Sequence, residues 1–139
     1  MDVFDYRRQA ELKADDATEE LARRVIGAAI EVHREIGPGM PEHSYRDALA
    51  YELELQGIEY AREVPFAIMY KGKKVGEGRI DLLVGRTLIL EIKVVEALNN
   101  VHRAQLISYL KATNLRLGLL INFNVAVLKD GIKRVINTF

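Results

Sequence analysis

The chain of 139 residues contains no cysteine. This absence excludes disulfide bonds, thiolate metal sites and cysteine nucleophiles, and it fits a cytoplasmic protein, which is the localisation that we expect. Long apolar runs are also missing, since the longest ones have the length of a β-strand, and no segment predicts a membrane span. The acidic start, Met1 to Asp5, does not resemble a signal peptide. We therefore expect no membrane partner.

A net charge is the third property that the chain lacks, because 20 Lys and Arg balance 20 Asp and Glu. The overall positive field of a typical nonspecific nucleic-acid binder is thus absent, which weakens the interpretation as a simple binding module. An enzyme that acts on nucleic acids is not excluded, because a local cluster with a bound divalent cation attracts phosphate without net basicity. A glycine-rich phosphate loop is absent too, and this disfavours a hydrolase of nucleosides or small phosphate esters.

The composition is that of one globular domain, with 49% hydrophobic and 29% charged residues and no repeat or low-complexity tract. We expect an N-terminal extension over residues 1–15 and a single domain over residues 16–139. Asp16 and Glu19 predict a capping box at the start of the first helix, and Gly37-Pro38-Gly39 predicts its end. Helical spacing of apolar residues predicts three helices, over 16–36, 42–56 and 99–113.

Alternating or continuous apolar segments between these helices predict strands. Lys71-Gly72 and Asp130-Gly131 are the expected hairpin turns. The element order is ααβββαβββ, which indicates an α/β or α+β domain with a mixed central β-sheet flanked by helices. The six predicted strands are 63–70, 73–84, 87–95, 115–123, 126–129 and 132–137.

The hairpin from Gly78 to Lys93 is the most informative segment, because both of its strands alternate. One face carries the charged residues Asp81, Glu91 and Lys93. The other face is predicted to be wholly apolar and consists of Ile80, Leu82, Val84, Leu88, Leu90, Ile92 and Val94.

The register of this hairpin decides whether its two acids meet. Pairing Val84 with Leu88 across a three-residue loop sets Asp81 directly opposite Glu91, and Gly85 supplies a residue that tolerates positive φ in that loop. A two-residue loop would put the two carboxylates on opposite faces of the sheet. Apolar matching between the strands favours the first register.

Carboxylates placed opposite each other, roughly 5 Å apart at Cβ, repel unless a cation lies between them. Hard divalent cations with oxygen ligands, Mg²⁺ or Mn²⁺, are the best candidates, and Lys93 would then lie beside the metal. The alternative interpretation of Asp81, Glu91 and Lys93 is a solvated salt-bridge face.

Two helix segments offer further side chains to such a site. Residues three or four apart share a helix face, so Glu42 aligns with Tyr45 and Gln105 with Tyr109, and each pair could line a cleft. The alternatives are an acid favoured by the helix dipole for Glu42, core packing for the tyrosines and a surface position for Gln105. His102, three residues before Gln105, can approach the same cleft, although a lone helical histidine is more often structural.

A basic cluster of Lys71, Lys73 and Lys74 surrounds the first predicted turn. Such a cluster at a hairpin tip is usually a solvated turn, and contact with a nucleic-acid backbone is the alternative.

The order and spacing of these motifs resemble the GxxExxY proteins, a small-protein branch of the PD-(D/E)XK nuclease superfamily. The resemblance covers nearly the whole domain, and its Gln-x-x-x-Tyr segment is similar to the one in RecB-like nucleases. Ile80 stands where the superfamily name has proline, a position that varies in that superfamily. The matching segments are Val32 to Glu35, Gly37 to Gly39, Glu42 with Tyr45, Asp81, Glu91 with Lys93, Gln105 to Tyr109, and Leu119 to Phe123.

The resemblance implies a restriction-endonuclease-like core with the active site at the end of a bent hairpin. It makes Asp81 and Glu91 ligands of Mg²⁺ or Mn²⁺ and gives Lys93 the role of positioning or activating the attacking water. The roles that it implies for other residues are metal coordination by the main-chain carbonyl of Ile92, help in holding the metal or its water from Glu42, and support of the site or substrate contact by Gln105 and Tyr109.

The hypothesis that follows is a Mg²⁺-dependent nuclease that hydrolyses phosphodiester bonds in nucleic acid, with DNA as the expected partner. The alternative is a catalytically silent nuclease-fold module that binds nucleic acid or protein. Because little chain remains beyond the core for a substrate-recognition domain, assembly into a homodimer or a larger complex stays open.

Overall fold

A computed structural model of the protein describes residues 12–138. The part of the predicted N-terminal extension that lies in residues 1–11 is outside the described residues. No helix within 12–138 is both long and apolar enough to cross a membrane. The elements are α1 (Asp16–Ile36), α2 (Glu42–Leu55), β1 (Tyr60–Tyr70), β2 (Lys73–Val84), β3 (Leu88–Lys93), α3 (Asn100–Thr113), β4 (Leu117–Asn122), a 3₁₀ helix (Leu128–Gly131) and β5 (Ile132–Ile136).

Five strands form one sheet in the order β1-β2-β3-β4-β5. Neighbouring strands are antiparallel except β3 and β4, which are parallel and are connected through α3. Parallel neighbours need a crossover of this kind, because a tight hairpin can join only antiparallel strands. The predicted fold class, a mixed sheet flanked by helices, is confirmed.

Each face of the sheet has its own apolar cluster. Helices α1 and α2 pack on one face over the larger cluster, which includes Leu82, Leu90 and Leu119. Helix α3 packs on the other face over the smaller cluster, which includes Ile89 and Leu120. Every residue of β4 is buried, as expected for a central strand that is covered on both faces.

The predicted hairpin at Asp130-Gly131 is wrong. Residues 126–129 do not form a strand; a 3₁₀ helix occupies Leu128–Gly131, and β5 pairs with β4. The apolar side chain of Leu128 is 3% exposed in the larger cluster, which favours the compact turn over a strand. Gly131 is required by a close approach, since a Cβ there would lie 2.2 Å from the carbonyl oxygen of Asn122.

The predicted N-cap of α1 is displaced by one residue. Asp15 is the N-cap, and its Oδ1 accepts a hydrogen bond from the N–H of Thr18 at 2.8 Å. Glu19 accepts the N–H of Ala14 at 2.7 Å and pairs with Arg134 of β5 at 2.8 Å. Arg134 also donates to the carbonyl of Leu12, so the described end of the predicted extension is attached to the domain.

At Glu63, which has a positive φ of 50°, the regular alternation of side chains between the two faces of the sheet is interrupted in β1 and β2. The pairs Arg62–Leu82 and Val64–Ile80 flank this point, and no pair joins Glu63 to Asp81 in the register of the two strands. On one side of the kink Leu82 packs in the larger cluster, and on the other side Ile80 packs in the smaller one. The predicted single apolar face is therefore wrong at Ile80, because a left-handed residue interrupts the alternation.

Candidate active site

Strands β2 and β3 are paired only near their turn. Val84 lies opposite Leu88, and the pairing ends at Leu82 and Leu90. Gly85 has a φ of 56°, as the three-residue loop requires. The predicted register is confirmed for these pairs.

Asp81 and Glu91 lie where this pairing stops. The N–H of Asp81 donates to Oε2 of Glu91 at 2.9 Å, and the N–H of Ile92 donates to Oδ2 of Asp81 at 2.8 Å. Each carboxylate thus replaces a backbone acceptor that a continuous ladder would supply. We call this opening between β2 and β3, formed by Asp81, Glu91 and Ile92, the fork. These bonds use one oxygen of each carboxylate, which leaves Oδ1 of Asp81 and Oε1 of Glu91 for other partners.

Glu91 is buried in the fork, where 4% of the residue is exposed. Burial raises the pKa of Glu91 to about 8, and the negative charge of Asp81 adds to the rise. The N–H of Asp81 and the ammonium of Lys93 oppose this shift of the pKa, while the charge of Glu42 adds to it. Glu91 therefore holds a proton at neutral pH unless a cation replaces it.

Arg46 of α2 also reaches the fork. Its Nη1 lies 3.8 Å from Oδ1 of Asp81, and the two side chains are 23% and 19% exposed. Its Nε is buried and has no hydrogen-bond partner among the described residues. Arg46 is not among the residues predicted from the sequence, although it follows Glu42 by four positions and so lies on the same helix face.

Lys93, Gln105 and Tyr109 form a hydrogen-bonded chain beside the fork. The ammonium of Lys93 donates to Oε1 of Gln105 at 3.1 Å, and Nε2 of Gln105 donates to the hydroxyl of Tyr109 at 3.2 Å. The ring of Tyr109 packs edge-on against Phe66 with 4.7 Å between ring centroids. Burial raises the pKa of the Tyr109 hydroxyl, and the charge of Glu91 adds to this effect. The structure thus brings three predicted site residues together.

His102 caps α3. Its Nδ1 accepts the N–H of Asn99 at 3.2 Å, while Oδ1 of Asn99 accepts the N–H groups of Val101 and His102. Partial burial lowers the pKa of His102, and the nearby charge of Lys93 lowers it further. His102 therefore lies within electrostatic reach of the site while its ring orders the start of the helix that carries Gln105.

Tyr45 is fully buried, which agrees with the alternative interpretation of core packing rather than with the lining of an open cleft. Its ring stacks on Phe123 with centroids 4.6 Å apart. Its hydroxyl donates to the carbonyl of Gly37 and accepts the N–H of Met40 at 3.0 Å. Tyr45 thereby fixes the loop from which α2 and Glu42 begin.

Glu42 is exposed at the first position of α2. Within residues 12–138, no group of three Asp, Glu, His or Cys side chains is arranged to hold a metal ion. The predicted contribution of Glu42 to metal binding therefore has no direct geometric counterpart among the described residues. The charge of Glu42 adds to the rise in the pKa of Glu91.

The donor atoms at the fork nevertheless fit a hard divalent cation. In an extended strand the N–H and C=O of one residue point toward the same neighbouring strand. Since the N–H of Ile92 bonds to Asp81, its carbonyl also faces the fork. Two carboxylate oxygens and one carbonyl oxygen are suitable ligands for Mg²⁺ or Mn²⁺, which retain several waters when protein ligands are few.

The mixed sheet with flanking helices, open between β2 and β3, defines a restriction-endonuclease-like fold. A sequence profile of the PD-(D/E)XK nuclease superfamily matches residues 19–135. The chain therefore belongs to the PD-(D/E)XK nuclease superfamily. A search of curated proteins found no match.

Proposed function

We propose that this protein is a divalent-metal-dependent nuclease of the GxxExxY branch that hydrolyses phosphodiester bonds in DNA. The observation that carries the proposal is the pair of carboxylates in the fork. Backbone hydrogen bonds bring Asp81 and Glu91 together although two ionised carboxylates would repel each other, and burial together with the charge of Asp81 raises the pKa of Glu91 to about 8. Assignment to the GxxExxY branch rests on Gly39, Glu42 and Tyr45.

Asp81, Glu91 and the carbonyl of Ile92 would hold Mg²⁺ or Mn²⁺. When bound, the ion supplies a water of lowered pKa and offsets the charge that develops on the phosphorus centre. Glu91 must release its proton to become a ligand, so metal affinity increases as the pH rises toward 8.

Lys93 supplies a positive charge on the same strand as Glu91. An ammonium group has three donors, and Gln105 accepts one of them at 3.1 Å. The other donors can orient a phosphate oxygen or the attacking water. Tyr109 fixes the amide of Gln105 through its hydroxyl, so the helix α3 restrains the position of the lysine.

The experiment is a cleavage assay on single-stranded, duplex and branched DNA and on RNA, with Mg²⁺ or Mn²⁺. We expect cleavage of DNA that falls at least about 100-fold in both variants, because Asp81→Asn removes a proposed metal ligand and Lys93→Met removes a positive charge near the transition state. Glu96→Gln, an exposed acid on the following loop, is the matched control and should retain activity. Absence of cleavage in the wild type, or equal rates in Asp81→Asn, would contradict the proposal.

One observation favours a second candidate, a silent nucleic-acid-binding module. The guanidinium of Arg46 lies 3.8 Å from Oδ1 of Asp81, so the protein itself supplies a cation to this carboxylate. A protein of this second kind would bind DNA without binding Mn²⁺. Calorimetric titration with Mn²⁺ distinguishes the two candidates.

A further inference from the structure

The β1–β2 hairpin extends beyond the rest of the sheet as a two-stranded arm, residues 66–79. Among the described strands, only β1 pairs with this part of β2, because the pairing with β3 ends at Leu82. Every residue from Ala67 to Val75 is exposed. Lys71 and Gly72 have φ values of 47° and 83°, which are the positive angles of a tight two-residue hairpin turn.

Positive charge is concentrated on the arm. It carries Lys71, Lys73, Lys74 and Arg79 against the single acid Glu77, a net charge of +3, whereas the whole chain has a net charge of zero. Lys74 pairs with Glu77 at 3.0 Å. The balanced composition of the chain therefore conceals a local basic surface.

Exposed apolar side chains accompany these charges. Ile68, Met69 and Tyr70 are 43%, 56% and 61% exposed, and Val75 on the opposite strand is 57% exposed. The ammonium of Lys71 lies 5.4 Å from the centre of the Tyr70 ring. A cationic surface with apolar and aromatic side chains can bind a phosphate backbone and also contact sugars and bases.

The arm begins beside the candidate site. Because β2 and β3 are antiparallel, the arm continues past the end of β3 at which Glu91 and Lys93 lie. At its base the ring of Phe66 packs on Tyr109 and also covers Gly78, where a Cβ would lie 2.2 Å from a ring atom. The base of the arm is thus fixed against the hydrogen-bonded chain of the site.

We propose that the arm binds the backbone and groove of duplex DNA on one side of the cut position, an inference that rests on the proposed function. The ten residues from Gly72 to Asp81 are separated by nine steps of about 3.3 Å and so span about 30 Å. This length corresponds to about nine base pairs of B-form DNA. The major groove of B-form DNA accepts a two-stranded ribbon, whereas that of A-form RNA is too narrow.

A second copy of this chain is a poorer occupant. Its arm would carry the same net charge of +3, so two arms would repel. Pro65 in the edge strand β1 also lacks the backbone N–H that edge-to-edge pairing needs.

The test compares the triple variant K71Q/K73Q/K74Q with a control, R23Q/R34Q/K129Q, which removes the same charge from α1 and the 3₁₀ helix. Binding to labelled duplex DNA of about 10 and about 30 base pairs is measured by anisotropy at several salt concentrations, with Ca²⁺ replacing Mg²⁺ to limit hydrolysis. We expect the arm variant to lose about tenfold in affinity for the long duplex, and its salt slope to fall by about two to three. The control should lose less than half of this, and the short duplex, whose base pairs just cover the length of the arm, should show the same difference between the two variants.

Equal losses in the arm variant and the control, or unchanged binding in the arm variant, would overturn the proposal. Three other results would overturn the proposal in favour of another occupant. The arm variant would lose as much affinity for duplex RNA as for duplex DNA, the arm would bind anionic vesicles more strongly than DNA, or light scattering would detect a dimer that the arm variant does not form. Mn²⁺ titration of the same proteins separates the two proposals. Mn²⁺ binding without arm-dependent DNA binding refutes only the role of the arm, and arm-dependent DNA binding without Mn²⁺ binding refutes only the metal-dependent function.

Discussion

At the scale of single residues, the fork brings two acids together by giving each a backbone donor from the opposite strand. The N–H of Asp81 bonds to Glu91, and the N–H of Ile92 bonds to Asp81. These hydrogen bonds stabilise the arrangement, while burial and mutual repulsion disfavour the doubly ionised state. The protonation of Glu91 therefore becomes part of the stability of the protein.

The metal-free protein should become less stable as the pH rises from about 5 to about 8. The folded-state pKa of Glu91, about 8, exceeds its ordinary value of 4.5, so the folded state binds this proton more tightly than the unfolded state. The resulting stabilisation is fully present below the ordinary pKa and is lost as the pH rises through the folded pKa. We expect a slope of up to about 1 kcal/mol per pH unit in urea unfolding with a chelator present.

Glu91→Gln should remove this pH dependence, because a neutral amide has no proton to lose. Glu96→Gln is the control on an exposed position and should keep the wild-type slope. Equal slopes in wild type and Glu91→Gln would show that Glu91 does not titrate as described.

Arg46 leads to a second residue-scale prediction. Its guanidinium lies 3.8 Å from an oxygen of Asp81 that would bind the metal, so its charge competes with the cation. Arg46→Met should increase Mn²⁺ affinity by about threefold to tenfold, as estimated for one partly screened charge. Calorimetry gives this affinity directly.

Arg62→Met is a suitable control for Arg46→Met, since Arg62 pairs with Asp47 of α2 and no described contact joins it to Asp81. Its Mn²⁺ affinity should match that of the wild type. Weaker Mn²⁺ binding in Arg46→Met would instead mean that the arginine holds Asp81 in its binding position.

At the scale of elements, the hairpin of β2 and β3 could be predicted because the residues of its strands and of its loop indicate the same register. Apolar matching and the glycine at position 85 both favoured pairing Val84 with Leu88. The face exchange at Glu63 could not be predicted, because glutamate has no preference for positive φ and only tertiary packing selects it there. The 3₁₀ helix was mistaken for a hairpin, since Asp-Gly is a common turn pair and the close approach of Gly131 to Asn122 is nonlocal.

Spacing alone predicted which side chains share a face of the hairpin and of α3, whereas the roles of these residues in a site were implied by the family resemblance. Gln105 and Tyr109 are four apart on α3, and Gln105 accepts a hydrogen bond from Lys93 and donates one to Tyr109. Arg46 was beyond reach because its contact with Asp81 depends on how α2 crosses the sheet.

The kink at Glu63 gives a prediction about β1. A non-glycine residue with φ near 50° carries a conformational cost, so Glu63→Gly should be neutral or stabilising by up to about 1 kcal/mol. Ala61→Gly, at a regular and exposed position of the same strand, should destabilise the protein. Urea unfolding measures both, and a clear loss of stability in Glu63→Gly would contradict the proposed strain.

At the scale of the whole molecule, the apolar clusters cover the two faces of the sheet, and the candidate site lies where β2 and β3 separate. The two apolar clusters lie on opposite faces of the sheet, and α3 contributes both to the smaller cluster and to the restraint of Lys93. The fork lies where the pairing of β2 with β3 ends, and the arm continues β2 beyond that point. A cation bound in the fork would connect β2 to β3 where their hydrogen bonding stops, and so would stabilise the folded chain as a whole.

The most direct test of this account is a calorimetric titration of the metal-free protein with Mn²⁺ near pH 7, in buffers of different ionisation enthalpy. We expect Mn²⁺ to bind and to release close to one proton from Glu91, because the pKa of that residue is about 8 before binding. Asp81→Asn should bind Mn²⁺ at least about tenfold more weakly. No binding to the wild type, or binding that is unchanged in Asp81→Asn, would contradict a metal site in the fork.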